Sequence, residues 1–275
     1  MRSLMFTLLL PLAYGCAPDA PRKEESFASR AHIMPSGDGH SPSSLHSNGI
    51  VPNGIVPNGI APNGIAPNGI VPNALRPDRI PSSALRSLKD EGPGGTLSRT
   101  FVKYAVGCAF DPSQTFTFRW SGGTEEYKGA LGLAPEWADG PLSPAKQRWV
   151  SACIAARTNR LGVPVMISMR SPAPPGLAAG EGERRAFSHK EGAFWGNLFE
   201  ERPALYACHV PESIEHARSK GRSCATGLDT GSGVAGCGLI QPMGDCSSIC
   251  TSAGDPEMGY VACGGSTEVI TTFVD

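Results

Sequence analysis

The chain has 275 residues, with 24 Lys and Arg against 25 Asp and Glu and a formal net charge of −1. That neutrality excludes a non-specific nucleic-acid binder, which needs an excess of cations to displace counterions from phosphates. The long apolar run at 4–12 is too short to cross a bilayer as a stable helix. Gly 34 and Pro 25 are high counts for a globular chain, and their uneven distribution divides the sequence into two different polymers.

Met1-Arg2 brings one positive charge, 4–12 (LMFTLLLPL) a short apolar core, and Ala13 and Gly15 small residues just ahead of Cys16. That order is a secretory signal peptide over 1–15. Ala13-Tyr14-Gly15 suits an ordinary signal peptidase. Leu12-Ala13-Tyr14-Gly15-Cys16 also resembles a bacterial lipobox, in which Cys16 becomes the diacylated N-terminus, although Ala13 stands where Leu is usual and Tyr14 is bulky. The cysteine count favours lipidation. Of nine Cys, removing Cys16 leaves eight, an even number (Cys108, Cys153, Cys208, Cys224, Cys237, Cys246, Cys250, Cys263), as an exported chain without a stray thiol requires. The expected location is the outer membrane or cell surface, since Ala17 is not the Asp associated with inner-membrane retention. The membrane partner is reached through the lipid on Cys16, and without acylation the protein is secreted.

Residues 16–95 read as a disordered Pro/Asn/Gly-rich tether. From 17 to 95 there are 12 prolines, no Cys and one aromatic, Phe27. A segment so poor in large apolar groups cannot offset an ordering entropy of about 1–2 kcal/mol per residue. Within it runs a repeat of period five over 48–77: NGIVP twice, NGIAP twice, NGIVP, then NALRP. Each Pro-Asn-Gly step carries β-turn residues. The register resembles elastin-like pentapeptides, while a proline in every coil disfavours a solenoid. Such a chain reaches roughly 50 Å root-mean-square. Pro93-Gly94-Gly95 marks its expected end.

Residues 96–275 hold 16 of the 19 aromatics and eight Cys. Their length suffices to bury about 70% of the unfolded surface, and export makes disulfides the expected state. Four bridges allow 105 pairings, and spacing selects none. The predicted fold is one compact, disulfide-stabilised α+β domain. Its elements, in chain order, are a helix over 97–108, a strand at 116–120 turning through Ser121-Gly122-Gly123 into a hairpin, and a helix opened by Ser143-Pro144 and ended by Gly162. Strands follow at 163–170, 204–210 and 268–274, with 221–264 as bridged loop.

At LGLAPEW (131–137), QRWVSACIAARTN (147–159), EGAFWGNLF (191–199), YAC (206–208) and the closing YVACGG and EVITTF, the chain resembles Cys-rich predicted lipoproteins of myxobacteria. That group carries no assigned activity, so the resemblance implies a location and no mechanism.

Candidate chemistry is sparse. Asp229-Thr230-Gly231-Ser232 matches an aspartic-protease signature, whose chemistry needs two carboxylates. No second copy occurs, so a Gly-rich turn is the simpler reading. Ser223 lies in a distant likeness of a nucleophile elbow, but the last histidine is His216, which leaves only His189 and His209 as bases in other chain orders. Cys237, Cys246, Cys250 and Cys263 have a spacing that zinc accepts. Outside the cytoplasm disulfides take precedence, so no metal and no cofactor is expected. Glu212, Glu215 and His216 read as a solvated helix face. Trp137 and Trp195, flanked by Pro and Gly, either fill the core or offer stacking faces to a glycan or a surface protein. The expected role is therefore binding or structural at the envelope. A secreted hydrolase of extracellular polymer is the alternative, with Asp229, His189 and His209 its first candidates. Mass spectrometry of protein from the native host is expected to find a mature N-terminus at an acylated Cys16; an unmodified Cys16 overturns the anchor.

Overall fold

A mixed six-stranded sheet organises the structure, a computed structural model that describes residues 50–52, 73–158, 165–219, 222 and 239–275, all within the unit His40–Asp275. The strands are β1 (Ile50–Pro52), β2 (Thr115–Trp120), β3 (Gly123–Lys128), β4 (Met166–Arg170), β5 (His189–Asn197), β6 (Ala204–His209), β7 (Ile240–Asp245), β8 (Cys250–Ser252), β9 (Tyr260–Cys263) and β10 (Ile270–Val274). The sheet order is β1-β4-β10-β5-β6-β7, with β2-β3 and β8-β9 as separate hairpins. All pairings in the large sheet are antiparallel except β6 with β7. The helices are α1 (Ser82–Lys89), α2 (Pro93–Ala109), α3 (Pro144–Ala156), α4 (Glu181–Ala186) and α5 (Ile214–Ser219). The α+β class expected from the sequence is the class observed.

Period-two alternation assigns the two faces of the sheet. Phe194, Leu205, Ala207, Ile270 and Val274 join the large core with α2 and α3. Their neighbours Ala193, Trp195, Cys208 and Val269 point the other way and pack with Cys246, Tyr260 and Cys263. The central strands are thus buried on both sides, between helices and a bridged hairpin. Each large apolar side chain so buried contributes about 1.5–3 kcal/mol.

Ser143 caps α3 as expected: its Oγ accepts from the Lys146 amide, and Pro144 fills the first turn. The helix stops at Ala156, short of the expected Arg160; that residue and Gly162 lie outside the described residues.

Three expectations need correction. Residues 73–95, assigned to the tether, are folded, and Ile50–Pro52 within the repeat forms β1, paired with β4. Leu75, Ala84 and Leu88 are buried, the Trp137 indole donates to Asn73 O, and Arg99 donates to Leu88 O at 2.9 Å and Asp90 O at 2.7 Å. Pro93 is the first-turn proline of α2 rather than a linker mark, a position where its missing N–H costs nothing. Second, the Gly-flanked stretch around Trp195, to which the sequence assigned no strand, is β5, in the middle of the sheet. Third, the supposed loop 221–264 supplies β7, β8 and β9, their short lengths hidden by glycine and cysteine.

Three bridges are present among the described residues. Cys108–Cys153 ties α2 to α3, Cys208–Cys246 ties β6 to the end of β7, and Cys250–Cys263 crosses β8 and β9. Cys224 and Cys237 lie outside the described residues, as do Cys16 and the 53–72 portion of the repeat.

A buried ion pair ties β5 to the end of α3. Arg222 and Glu191 are both fully buried at the side chain, with Nε to Oε1 at 2.9 Å and Nη2 to Oε2 at 3.0 Å. The same guanidinium donates to Ala156 O and Thr158 O, carbonyls left open at the end of α3. Replacing Arg222 by Ala strands the Glu191 carboxylate in the core and is expected to destabilise by about 3–5 kcal/mol. The double variant Arg222→Met with Glu191→Leu is expected to recover most of that loss in denaturant unfolding.

Candidate functional site

An open cleft of about 570 Å³ lies where β5 and β6 meet the turn after β9. Its floor is aromatic. Trp195 on β5 and Tyr206 on β6 are directly paired across the strands, and their rings stack with centroids 5.8 Å apart and planes at 23°. Trp195 is only 4% exposed and Tyr206 is half-buried, so Tyr206 supplies most of the floor's accessible aromatic surface.

Glycines make the cleft possible. At Gly196, with φ +127°, an added Cβ would sit 2.3 Å from Ala204 O. Gly264 has φ +56°, and a Cβ there would approach the Trp195 indole nitrogen to 3.0 Å. Side chains at these places would strain the backbone and crowd the floor. The turn carrying Gly264 and Gly265 is closed by reciprocal backbone bonds between Cys263 and Ser266, both 2.9 Å.

Polar groups rim the floor on two sides. On one, Arg148 of α3 grips Glu268 with Nε to Oε2 at 2.6 Å and Nη2 to Oε1 at 3.2 Å, and Ser266 Oγ donates to the same carboxylate. The guanidinium beside Glu268 holds its carboxyl below the usual range, against the opposing effect of burial. On the other side, Asn197 Nδ2 donates to Gln147 Oε1 and Glu200 Oε1, while its Oδ1 accepts from the Phe199 amide at 2.9 Å. The site therefore combines an apolar stacking surface with amide, carboxylate and guanidinium groups already fixed in position. This composition suits a polar ring-shaped ligand with one apolar face.

The residues singled out from sequence fall elsewhere. Asp229 and Ser223 lie outside the described residues. His189, the first residue of β5, stacks on His216 of α5 with ring centroids 4.1 Å apart, and His216 Nε2 contacts Asp275 O. So His216 is not on a purely solvated face. His209 ends β6, in register with Gly192 on β5 and Asp245 on β7. Its Nδ1 is buried without a hydrogen-bond partner among the described residues; the neighbouring Asp245 carboxylate accepts instead from the Ser247 backbone N–H at 2.8 Å, which holds its carboxyl below the usual range. No hydroxyl is hydrogen-bonded to either ring of His189 or His209 among the described residues. Of the cysteines spaced for zinc, Cys246, Cys250 and Cys263 are in bridges. Trp137 is fully buried, edge-on to Phe199.

Sequence reasoning weighed Trp195 but missed Arg148, Asn197, Glu200, Tyr206 and Glu268. The available clue was alternation: in GAFWGN, Ala193 and Trp195 share one face and Phe194 the other, a strand pattern masked by its flanking glycines. The partners meet only through pairing of β5 with β6 and the return of the chain after β9.

Comparison with family models, curated proteins and solved structures gives no match, so the function below rests on geometry.

Because the folded-state carboxyl of Glu268 titrates lower than in the unfolded chain, its pairing with Arg148 stabilises fully above the unfolded value of about 4.3 and is lost as pH falls through the folded value. Glu268→Gln is expected to remove that acid-sensitive contribution, read as a flatter melting temperature against pH below about pH 5.

Proposed function

We propose that this is an exported, lipid-anchored envelope protein whose disulfide-bonded domain binds a glycan at the cell surface through the cleft over Trp195 and Tyr206. The observation that carries the reading is the stacked Trp195–Tyr206 floor between two fixed polar rims, Arg148–Glu268 and Asn197–Glu200. A sugar ring has an apolar C–H face and equatorial hydroxyls. The first seats on aromatic carbon, and the second exchange hydrogen bonds with carboxylate, amide and guanidinium groups. Because those groups are already held by one another, little side-chain entropy is lost on binding. The bridges support the extracellular setting, where disulfides form and persist. The lipid on Cys16 and the Pro-rich chain that follows it, ahead of β1, supply attachment and reach.

Arrayed envelope and extracellular polysaccharides, probed with the detergent-solubilised full chain, test this. Capture of a defined glycan is expected. Tyr206→Leu, which keeps bulk and loses the aromatic face, is expected to weaken it at least tenfold, about 1.4 kcal/mol, with an unchanged melting temperature. Undiminished capture by Tyr206→Leu, or no capture across the array, overturns the reading.

One observation favours a hydrolase of extracellular polymer as a second reading. Glu200 and Glu268 line the same cleft, and two carboxylates astride a sugar are what glycoside hydrolysis requires. Turnover of the captured glycan that disappears in Glu200→Gln or Glu268→Gln would select it over binding alone.

A further inference from the structure

Two of the bridges touch. Sγ of Cys208 lies 3.4 Å from Sγ of Cys250, and the sulfurs of Cys208, Cys250 and Cys263 all lie within 4.8 Å of one another. Cys246 is bonded to Cys208, so four sulfurs from β6, β8, β9 and the turn after β7 form one cluster. Cys208, Cys246 and Cys263 are buried, and Cys250 alone is partly accessible. A free sulfur at the Cys250 position finds a disulfide sulfur in van der Waals contact.

We propose that this cluster is a thiol–disulfide exchange site, which answers an external dithiol by moving the bridge of Cys208 from Cys246 to Cys250. A thiolate of the dithiol attacks Cys250 Sγ, the accessible member. The Cys250–Cys263 bond breaks, and Cys263 leaves as a thiolate that takes a proton from water. The second thiolate of the reagent then closes the reagent's own disulfide and releases Cys250 as a thiolate. Cys250 Sγ attacks Cys208 Sγ across 3.4 Å, the Cys208–Cys250 bond forms, and Cys246 departs as a thiolate and is protonated. Two electrons from the dithiol reduce one protein bridge; the last step moves a bridge without net reduction. The product carries Cys208–Cys250 with thiols at Cys246 and Cys263.

This rearrangement acts on the cleft from two sides. Cys246 follows directly on β7, so its release removes the covalent tie between the end of that strand and β6, which carries Tyr206 in the floor. Cys263 opens the turn of Gly264 and Gly265, whose backbone walls the cleft against Trp195. The exchange itself does not depend on the glycan reading, and its test makes no use of a glycan.

The test treats oxidised full-length protein with graded dithiothreitol, then blocks thiols at low pH with N-ethylmaleimide. Peptic digestion follows without reduction, with electron-transfer fragmentation to place the label between Cys246 and Cys250. The first partially reduced species is expected to hold a Cys208–Cys250 link with label on Cys246 and Cys263. Label on Cys250 and Cys263 with Cys208–Cys246 retained overturns the proposal. So does simultaneous loss of both bridges with no Cys208–Cys250 species at any dose. Cys263→Ala, which leaves Cys250 without its partner, is expected to form the same Cys208–Cys250 link with no reductant, and a retained Cys208–Cys246 bond in that folded variant counts against the exchange.

Discussion

The buried pair of Arg222 and Glu191 is the constraint on which the other parts depend. Each charge has left water completely, and among the described residues Arg222 is compensated by Glu191, by the carbonyls of Ala156 and Thr158 and by the ring of Phe194. Net, such a pair adds little stability over a well-packed apolar one, because desolvation cancels most of the attraction. What it adds is position. The bidentate fork fixes β5 against the end of α3, and it brings the backbone at 222 back to the body of the fold, where its amide donates to Ala217 O. β5 in turn carries Phe194 into the helical core and Trp195 to the opposite face.

From that placement the cleft follows. A strand buried on both faces needs cover on both, and the second cover is a small hairpin too short to hold itself by packing. Two disulfides do that work at β6, β7, β8 and β9. Their position, beside the cleft rather than at the far side of the sheet, leaves its floor and its glycine-rich wall linked through sulfur. Stability and the shape of the site are thus carried by the same few atoms, and the third bridge, Cys108–Cys153, serves the helical side alone.

Some of this was legible. TFTFRW alternates cleanly and forms β2 with Phe116 and Phe118 inward. Ser143-Pro144 announces α3, and the even set of eight cysteines announces bridges. Other parts were hidden for identifiable reasons. Leu75 and Leu88 were averaged into a proline-rich segment, although Leu75 is held by a residue far along the chain, Trp137, whose carbonyl accepts from the Leu75 amide and whose indole donates to Asn73 O. Short strands interrupted by Gly and Cys carry too few residues for a period to register, so β7, β8 and β9 read as loop. His189 and His209 drew notice as titratable residues. Their surroundings, a stacked imidazole for one and a strand register for the other, were not in the local sequence.

The amino-acid sequence by itself determined the class of the folded part, α+β, and its oxidised chemistry, because alternation, caps and cysteine parity are local or countable properties. Tertiary structure alone decided where the folded part begins, which cysteines pair, and which polar groups surround Trp195. Those outcomes depend on contacts such as Arg148 with Glu268, 120 positions apart, and no local pattern encodes a distance that only the assembled sheet brings within 2.6 Å.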